Sequence, residues 1–111
     1  MVITKTTPKK ILDKLPFPIS GRAKAYRDPV FVAGDSPVTL DVNTDLGRNA
    51  IDGFIINDGA GIFNIEISDD GANWSNEFRL NNGETLQLTN VNIDSIKLTW
   101  LTNSSYRALF I

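Results

Sequence analysis

Residues 52–71, which read DGFIINDGAGIFNIEISDDG, are the most informative part of the chain about its fold. Within them, residues 62–68 alternate apolar and polar side chains, a pattern typical of a β-strand with one buried face. Phe63 and Ile65 are predicted to point into a core and Ser68 to face water. Because the Gly and Asp residues around this run favour turns, the sequence predicts two short strands joined by a turn.

Short alternating runs separated by turns continue on both sides of this region. Pairs such as Asp70-Gly71 and Asn82-Gly83 tolerate the positive φ that tight hairpin turns require. No connection reaches the dozen or so residues, roughly, that a parallel crossover needs, and no helical period is evident after residue 28. The sequence therefore predicts an all-β fold, an antiparallel β-sandwich or a jelly-roll-like barrel. The predicted strands are residues 29–33, 38–42, 52–57, 62–68, 74–80, 84–89, 93–101 and 106–111.

The N-terminal segment differs from the rest of the chain in charge and in proline content. Residues 1–27 hold seven basic residues and one acidic residue, a net charge of +6, whereas residues 28–111 hold four basic and twelve acidic residues, a net charge of −8. Four of the five prolines lie in residues 1–29, where they favour extended backbone. We therefore predict a basic, proline-containing, extended N-terminal arm over residues 1–27 and a β-sandwich domain over residues 28–111. Because the last predicted strand ends at Ile111, the N-terminal arm is expected to be the free segment.

The arm is predicted to bind an acidic partner, because such charge asymmetry is typical of interaction segments. Apolar side chains between the charges can anchor an extended segment as it docks. The acidic domain would be repelled by phosphate, so we expect a protein surface and not nucleic acid as the partner. The alternative is a disordered terminus without a partner. The residues predicted to bind are Lys5, Lys9, Lys10, Ile11, Leu12, Lys14, Leu15, Phe17, Arg22, Lys24 and Arg27.

The chain contains no cysteine and no histidine. Their absence removes disulfides, thiol nucleophiles and the commonest metal ligand and proton shuttle at neutral pH. Glu66, Glu77 and Glu84 are scattered over predicted solvent positions and turns and do not suggest a catalytic pair. We therefore predict that the protein is not an enzyme, with no catalytic residue, cofactor or metal.

Membrane insertion and export are not expected. No apolar run approaches the roughly 20 residues that a spanning helix needs. The start of the chain, residues 1–5, lacks the apolar core of a secretory signal.

The region between the predicted strands of residues 62–68 and 74–80 offers two candidate contacts. Asp69, Asp70 and Asn73 place three oxygen-bearing side chains close together, which we interpret as a hairpin turn in preference to a calcium site. Trp74 follows the turn and is a possible exposed contact residue, for a sugar ring among other partners. Trp100 falls on the inward phase of its strand and is predicted to lie in the core.

A possible apolar interface patch lies near the end of the chain. Leu109 and Ile111 share the outward phase of the final predicted strand, and Leu101 is grouped with them. The alternative is that these side chains cap the core.

Parts of the sequence resemble small β-sandwich virion proteins of tailed bacteriophages. The likeness lies in residues 52–59 (DGFIINDG), 65–74 (IEISDDGANW), 96–98 (IKL) and 105–107 (SYR). It implies a non-enzymatic structural subunit, a capsid decoration or cement protein that is made in the host cytoplasm and lies on the capsid surface of the virion. Its basic arm would attach to the major capsid protein or another virion protein, and homo-oligomers, trimers above all, are expected. Tail, neck and baseplate locations remain open.

The hairpin also suggests an alternative. Its Ser-x-Asp-Gly-x-x-Trp pattern, residues 68–74, is similar to discoidin-type carbohydrate-binding sandwiches. That resemblance implies a carbohydrate-binding module that uses Trp74.

Overall fold

The structure, a computed structural model, describes residues 23–111. Within them the chain forms eight β-strands, a 3₁₀ turn over Ala33–Asp35 and a short α-helix, α1, over Val42–Leu46. None of the helices in this part of the chain is long and apolar enough to cross a membrane. The strands are β1 (Lys24–Phe31), β2 (Val38–Leu40), β3 (Gly53–Asn57), β4 (Phe63–Ser68), β5 (Phe78–Leu80), β6 (Thr85–Leu88), β7 (Ser95–Trp100) and β8 (Ser104–Phe110).

The strands of residues 23–111 form two four-stranded sheets that pack face to face. Sheet A has the order β1-β8-β3-β6 and sheet B the order β2-β7-β4-β5. All the pairings are antiparallel. This order, with consecutive strands often in different sheets, is that of a double-sheet jelly roll. The predicted all-β sandwich or jelly-roll-like fold is confirmed.

The core lies between the two sheets and is built from alternate residues of each strand. At its centre, the rings of Phe31, Phe63 and Tyr106 meet edge to face, with centroids 5.5 to 6.0 Å apart. Such geometry matches the quadrupoles of aromatic rings and adds to the energy of their burial. The other buried apolar residues are Leu40, Val42, Leu46, Ala50, Ile55, Ile65, Leu80, Ile93, Ile96, Leu98, Ala108 and Phe110.

The chain does not continue as a strand through residues 38–42, as the sequence predicted. β2 ends at Leu40, and Val42 instead begins α1. Val42 and Leu46, four residues apart, lie on one face of the helix and are both buried. Gly47 ends the helix with a φ of 79°, a left-handed conformation that favours glycine.

The strand predicted over residues 74–80 is also shorter, since β5 covers only Phe78–Leu80. The preceding residues form a loop that folds back on the end of β4. Ser68, predicted to face water, is buried because this loop covers it. Its hydroxyl accepts a hydrogen bond from the Gly71 N–H at 2.8 Å and donates one to Asp70 at 3.0 Å.

The boundary predicted between residues 27 and 28 is wrong, because it falls inside β1. Lys24 pairs with Phe110 and Arg27 with Arg107, so both belong to sheet A. Tyr26, between them, packs on the core, with its ring 6.0 Å from that of Phe110. The packing of Tyr26 on the core and the backbone pairing with β8 hold residues 24–27 in the sandwich.

Candidate interaction surface

The outer faces of the two sheets differ in chemistry. Successive side chains of a strand point to opposite faces of the sheet. In sheet A, residues such as Ile55 and Ala108 are buried in the core, so the residues next to them in each strand lie on the outer face. Two rows of side chains cross this face. The first row is Ala25, Leu109, Phe54 and Gln87, and the second is Arg27, Arg107, Ile56 and Thr85.

The first row forms part of an apolar groove of about 330 Å³. Leu109 pairs with Phe54 across β8 and β3, and Ile111 continues beyond the end of β8. Asp52 lies at the rim of the groove and is exposed. We call this feature the apolar groove; it is lined by Asp52, Gly53, Phe54, Gln87, Leu88, Thr89, Leu109 and Ile111.

The second row leads into a more polar pocket of about 490 Å³. Arg27 and Arg107 stand opposite each other on neighbouring strands. The Nε of Arg107 donates to Asp58 Oδ2 at 2.6 Å and its Nη2 to Asp58 Oδ1 at 3.1 Å. We call this the arginine pocket; it is lined by Arg27, Asp28, Pro29, Asp58, Ser105, Tyr106 and Arg107.

The electrostatics of the arginine pocket are set mainly by this bidentate ion pair. The hydrogen bonds from Arg107, with its charge and that of Arg27, lower the pKa of Asp58. The same bonds and charge raise the pKa of Arg107. Burial raises the pKa of the Tyr106 hydroxyl to about 12. The lining combines two arginines, Arg27 and Arg107, with two aspartates, Asp28 and Asp58, so its formal charges balance.

The outer face of sheet B is polar by comparison. Lys97 of β7 pairs with Glu66 of β4, and Asn64 pairs with Arg79 of β5. Polar side chains of this kind are typical of a sheet face that is exposed to water.

Trp74, the predicted contact residue, lies beside sheet B and is half-buried. The ammonium group of Lys97 sits 4.3 Å from the centre of its indole ring, a distance typical of a cation–π contact. A sugar ring would have to displace Lys97 in order to stack on that face. Trp100, predicted in the core, packs against it while half-exposed, and its Nε1 donates to Asn103 at 2.9 Å.

The turn at residues 69–73 is held by its own hydrogen bonds. The carboxylate of Asp70 accepts from the N–H groups of Ala72 and Asn73, both at 2.8 Å, and from the Asn73 side chain at 2.6 Å. Those bonds, that of the Asn73 N–H first, hold the pKa of Asp70 well below its usual value. Within residues 23–111 no three acidic side chains come together as a metal site would require.

We expect Asp70→Asn to destabilise the sandwich near neutral pH and to have a much smaller effect in acid. Because the pKa of Asp70 is lowered on folding, its ionised form stabilises the folded state above about pH 4, the ordinary carboxyl pKa in unfolded chains. That stabilisation is lost as the pH falls through the lowered folded pKa. Thermal unfolding midpoints of both proteins at about pH 7 and about pH 2 measure the difference.

Asp69→Asn is the matched control, since the Asp69 side chain is exposed and has no hydrogen bond within the described chain. It should shift the midpoint little at either pH. An equal loss for Asp70→Asn at both pH values would contradict the prediction.

The residues predicted from sequence as contacts lie at different places in the part of the chain that the structure describes. Leu109 and Ile111 line the apolar groove together. Leu101 precedes β8 and therefore lies at the opposite end of that strand. At the usual rise per residue of a β-strand, the two ends of β8 place Leu101 more than about 15 Å from Leu109. Lys24 and Arg27 lie in β1. The other predicted arm residues lie outside the described residues; they are Lys5, Lys9, Lys10, Ile11, Leu12, Lys14, Leu15, Phe17 and Arg22.

Sequence reasoning missed three residues of this surface. Phe54 was placed in a strand without a role, although the burial of its neighbour Ile55 puts it on the outer face. Asp58 and Arg107 are 49 positions apart and meet only because β3 and β8 pair. The alternation of side chains in β3 could have placed Phe54 on the outer face, whereas nothing local in the sequence indicated the ion pair of Asp58 with Arg107.

No family model and no curated protein matches the chain. Among solved structures it is similar to FeII HppE, with a TM-score of 0.49 and 13% identity over 80% of this chain and 42% of that one. It is also similar to hydroxypropylphosphonic acid epoxidase from S. wedmorenis in complex with fosfomycin, with a TM-score of 0.48, 13% identity and the same coverage of 80% and 42%. PirA gives a TM-score of 0.39 and 10% identity over 80% of this chain and 83% of that chain.

The chain spans less than half the length of the first two of these structures. Likeness at this level of identity and superposition carries no argument about function.

Proposed function

We propose that the protein is a non-enzymatic structural subunit of a phage virion, a capsid decoration protein that binds the major capsid protein through its basic N-terminal residues. The observation that carries the proposal is the separation of charge between the N-terminal residues and the sandwich. Residues 1–22 hold five basic residues and one acidic residue, a net charge of +4. Residues 23–111 hold six basic and twelve acidic residues, a net charge of −6.

The position of Arg27 supports this division of roles. β1 is the first strand of the sandwich, and Arg27 lies in it, on the outer face of sheet A. The N-terminal residues join the sandwich at the start of this same strand. The charge of the N-terminal residues and that of Arg27 can therefore act on one acidic partner surface. Many modest contacts of this kind gain strength when a subunit is present in many copies or as a homo-oligomer such as a trimer.

We expect the intact chain to cosediment stoichiometrically with virus shells that lack it, and less so at high salt, because screening weakens charge contacts. A chain without residues 1–22 should lose this binding, and Arg27→Glu in the full chain should weaken it about tenfold. Arg79→Glu is the matched control, because Arg79 is exposed on the outer face of sheet B. It should bind as the unmodified chain does. Near-ultraviolet circular dichroism checks that each variant is folded.

Two outcomes would overturn the proposal. Undiminished binding by the chain without residues 1–22 would show that attachment lies elsewhere. Failure of the intact chain to bind shells, together with retention on a polysaccharide column that Trp74→Ala abolishes, would favour a carbohydrate-binding module instead.

A further inference from the structure

Among the described residues, three of the five exposed large apolar side chains lie at the end of sheet A where β1 begins, while the other two, Val30 and Phe78, lie elsewhere. Ile51, Val91 and Ile111 are 44%, 37% and 36% exposed. Their backbones are joined, since the Ile51 N–H donates to the Ile111 carbonyl and the Val91 N–H to the Ile51 carbonyl, both at 2.8 Å. Beside them lies the apolar groove with Phe54 and Leu109. A concentration of apolar surface on an otherwise acidic domain is typical of a docking site.

We propose that residues 15–19 of the same chain, Leu-Pro-Phe-Pro-Ile, lie across the outer face of sheet A and fill the apolar groove. The inference concerns the chain alone and does not rest on its proposed place in a virion. It assigns the predicted arm two roles. The apolar part fastens to its own sandwich, and the more N-terminal lysines, Lys5, Lys9 and Lys10, lead to the partner.

The chain between residues 15–19 and β1 is long enough for the segment to reach the groove. Ala25 near the start of β1 pairs with Leu109, and Leu109 pairs with Phe54. Neighbouring strands are about 4.8 Å apart, so Phe54 lies about 10 Å from β1 across the face. Extended chain advances about 3.3 Å per residue. The residues between β1 and residue 19 therefore suffice to reach Phe54, and residues 15–19 suffice to continue over β6.

The side chains of residues 15–19 also match the apolar groove in chemistry. Leu15, Phe17 and Ile19 alternate with two prolines, so the proposed extended placement would put the three apolar side chains on one side, towards the groove. Pro16 and Pro18 lack the N–H that a new sheet strand would need. A segment that lies on the face of a sheet needs no backbone hydrogen bonds to a neighbouring strand, so the prolines are compatible with that placement. Proline-rich segments are commonly bound in grooves lined by aromatic side chains such as Phe54.

Charge also favours the docking of this segment on the sandwich. The segment is flanked by Lys14 and Arg22, within residues of net charge +4, while the described sandwich carries −6. Asp52 stands at the rim of the groove. Opposite charges on the flanks and on the rim attract the segment to this face and disfavour its release.

Paramagnetic broadening in nuclear magnetic resonance tests the proposal on the full chain. The chain has no cysteine, so Gln87→Cys places a single spin label at the exposed rim of the groove. We expect the label to remove most of the amide signal of Leu15, Phe17 and Ile19. The matched control, Arg79→Cys on the outer face of sheet B, should leave those signals intact. Phe17→Asp should restore them in the Gln87→Cys chain.

Mixing identifies the chain that supplies the segment. Spin-labelled chain without ¹⁵N is mixed with unlabelled ¹⁵N chain, and intramolecular docking predicts no broadening in the mixture. Broadening in the mixture would mean that a second copy fills the groove, and this would overturn the proposal. Full signals with the label at residue 87 would also overturn it, since the groove would then be empty or covered by something else. Neither result depends on binding to virus shells.

Discussion

Asn57→Ala should lower the free energy of unfolding by about 3–5 kcal/mol, because it removes the centre of a buried hydrogen-bond cluster. Asn57 is 0% exposed. Its side-chain amide donates to the carbonyls of Gly61 and Leu80 at 2.9 and 3.0 Å, and its Oδ1 accepts from the Gly59 N–H at 3.1 Å and from the Ser104 hydroxyl. The cluster thus joins β3 to the starts or ends of strands in both sheets.

Urea unfolding followed by tryptophan fluorescence and by circular dichroism measures the effect. Ser104→Ala removes one of the four hydrogen bonds and should cost about 1 kcal/mol. Asn57→Asp keeps the shape but points an oxygen at two carbonyls, so it should be as damaging as alanine near neutral pH and less so below about pH 4, where the carboxyl can donate. A loss under about 1 kcal/mol for Asn57→Ala would show that the cluster does not hold the sheets together.

Phe63→Ala should cost a similar 3–5 kcal/mol or so, for a different reason. Phe63 is 0% exposed, and its ring centroid lies 5.9 Å from that of Phe31 and 6.0 Å from that of Tyr106. Its removal loses buried apolar area, leaves a cavity between the sheets and breaks two aromatic contacts. Phe63→Leu should cost less, since it refills part of the space.

Phe78→Ala provides the control in the same sheet. Phe78 lies in β5, the strand next to that of Phe63, and is 52% exposed. Its replacement should change stability by no more than about 0.5 kcal/mol. Equal losses for the two alanine variants in urea unfolding would contradict the assignment of Phe63 to the centre of the core.

The central strands were predictable because local pattern and tertiary environment agree there. The runs that became β4 and β7 alternate around buried Ile65 and Leu98, and both strands lie inside sheet B with a neighbour on each side. Gly71 and Gly83, placed in turns by their Asp-Gly and Asn-Gly pairs, take positive φ of 79° and 75°. In such regions a one-residue slip would expose the whole buried face.

The ends of the predicted strands at residues 38–42 and 74–80 were less predictable because long-range contacts override weak local preferences. Val42 fits a strand by alternation, yet it begins a helix that buries Leu46 as well. Ser68 fits a solvent position by alternation, yet the loop after it supplies its hydrogen bonds. Neither contact can be read from the period of side chains along one strand.

Only some residues of the candidate surface could be predicted from the sequence. Alternation alone put Leu109 on an outer face, and it does line the apolar groove. The grouping with Leu101 was wrong, because proximity near the end of a chain does not place residues at the same end of a strand. Phe54 and the pair of Asp58 with Arg107 join the surface only through the neighbours that β3 acquires in sheet A.

The local chemistry of side chains therefore accounts for the position of most strands and for the buried face of the central ones, since a period of two and the cost of exposing apolar area are properties of each segment. It also accounts for the charge contrast between the N-terminal residues and the sandwich. The order of strands in each sheet arises only in the folded chain, because backbone hydrogen bonds are alike for every pair and the choice of partner rests on packing across the whole core. That order places Phe54, Leu109, Arg27 and Arg107 on one face.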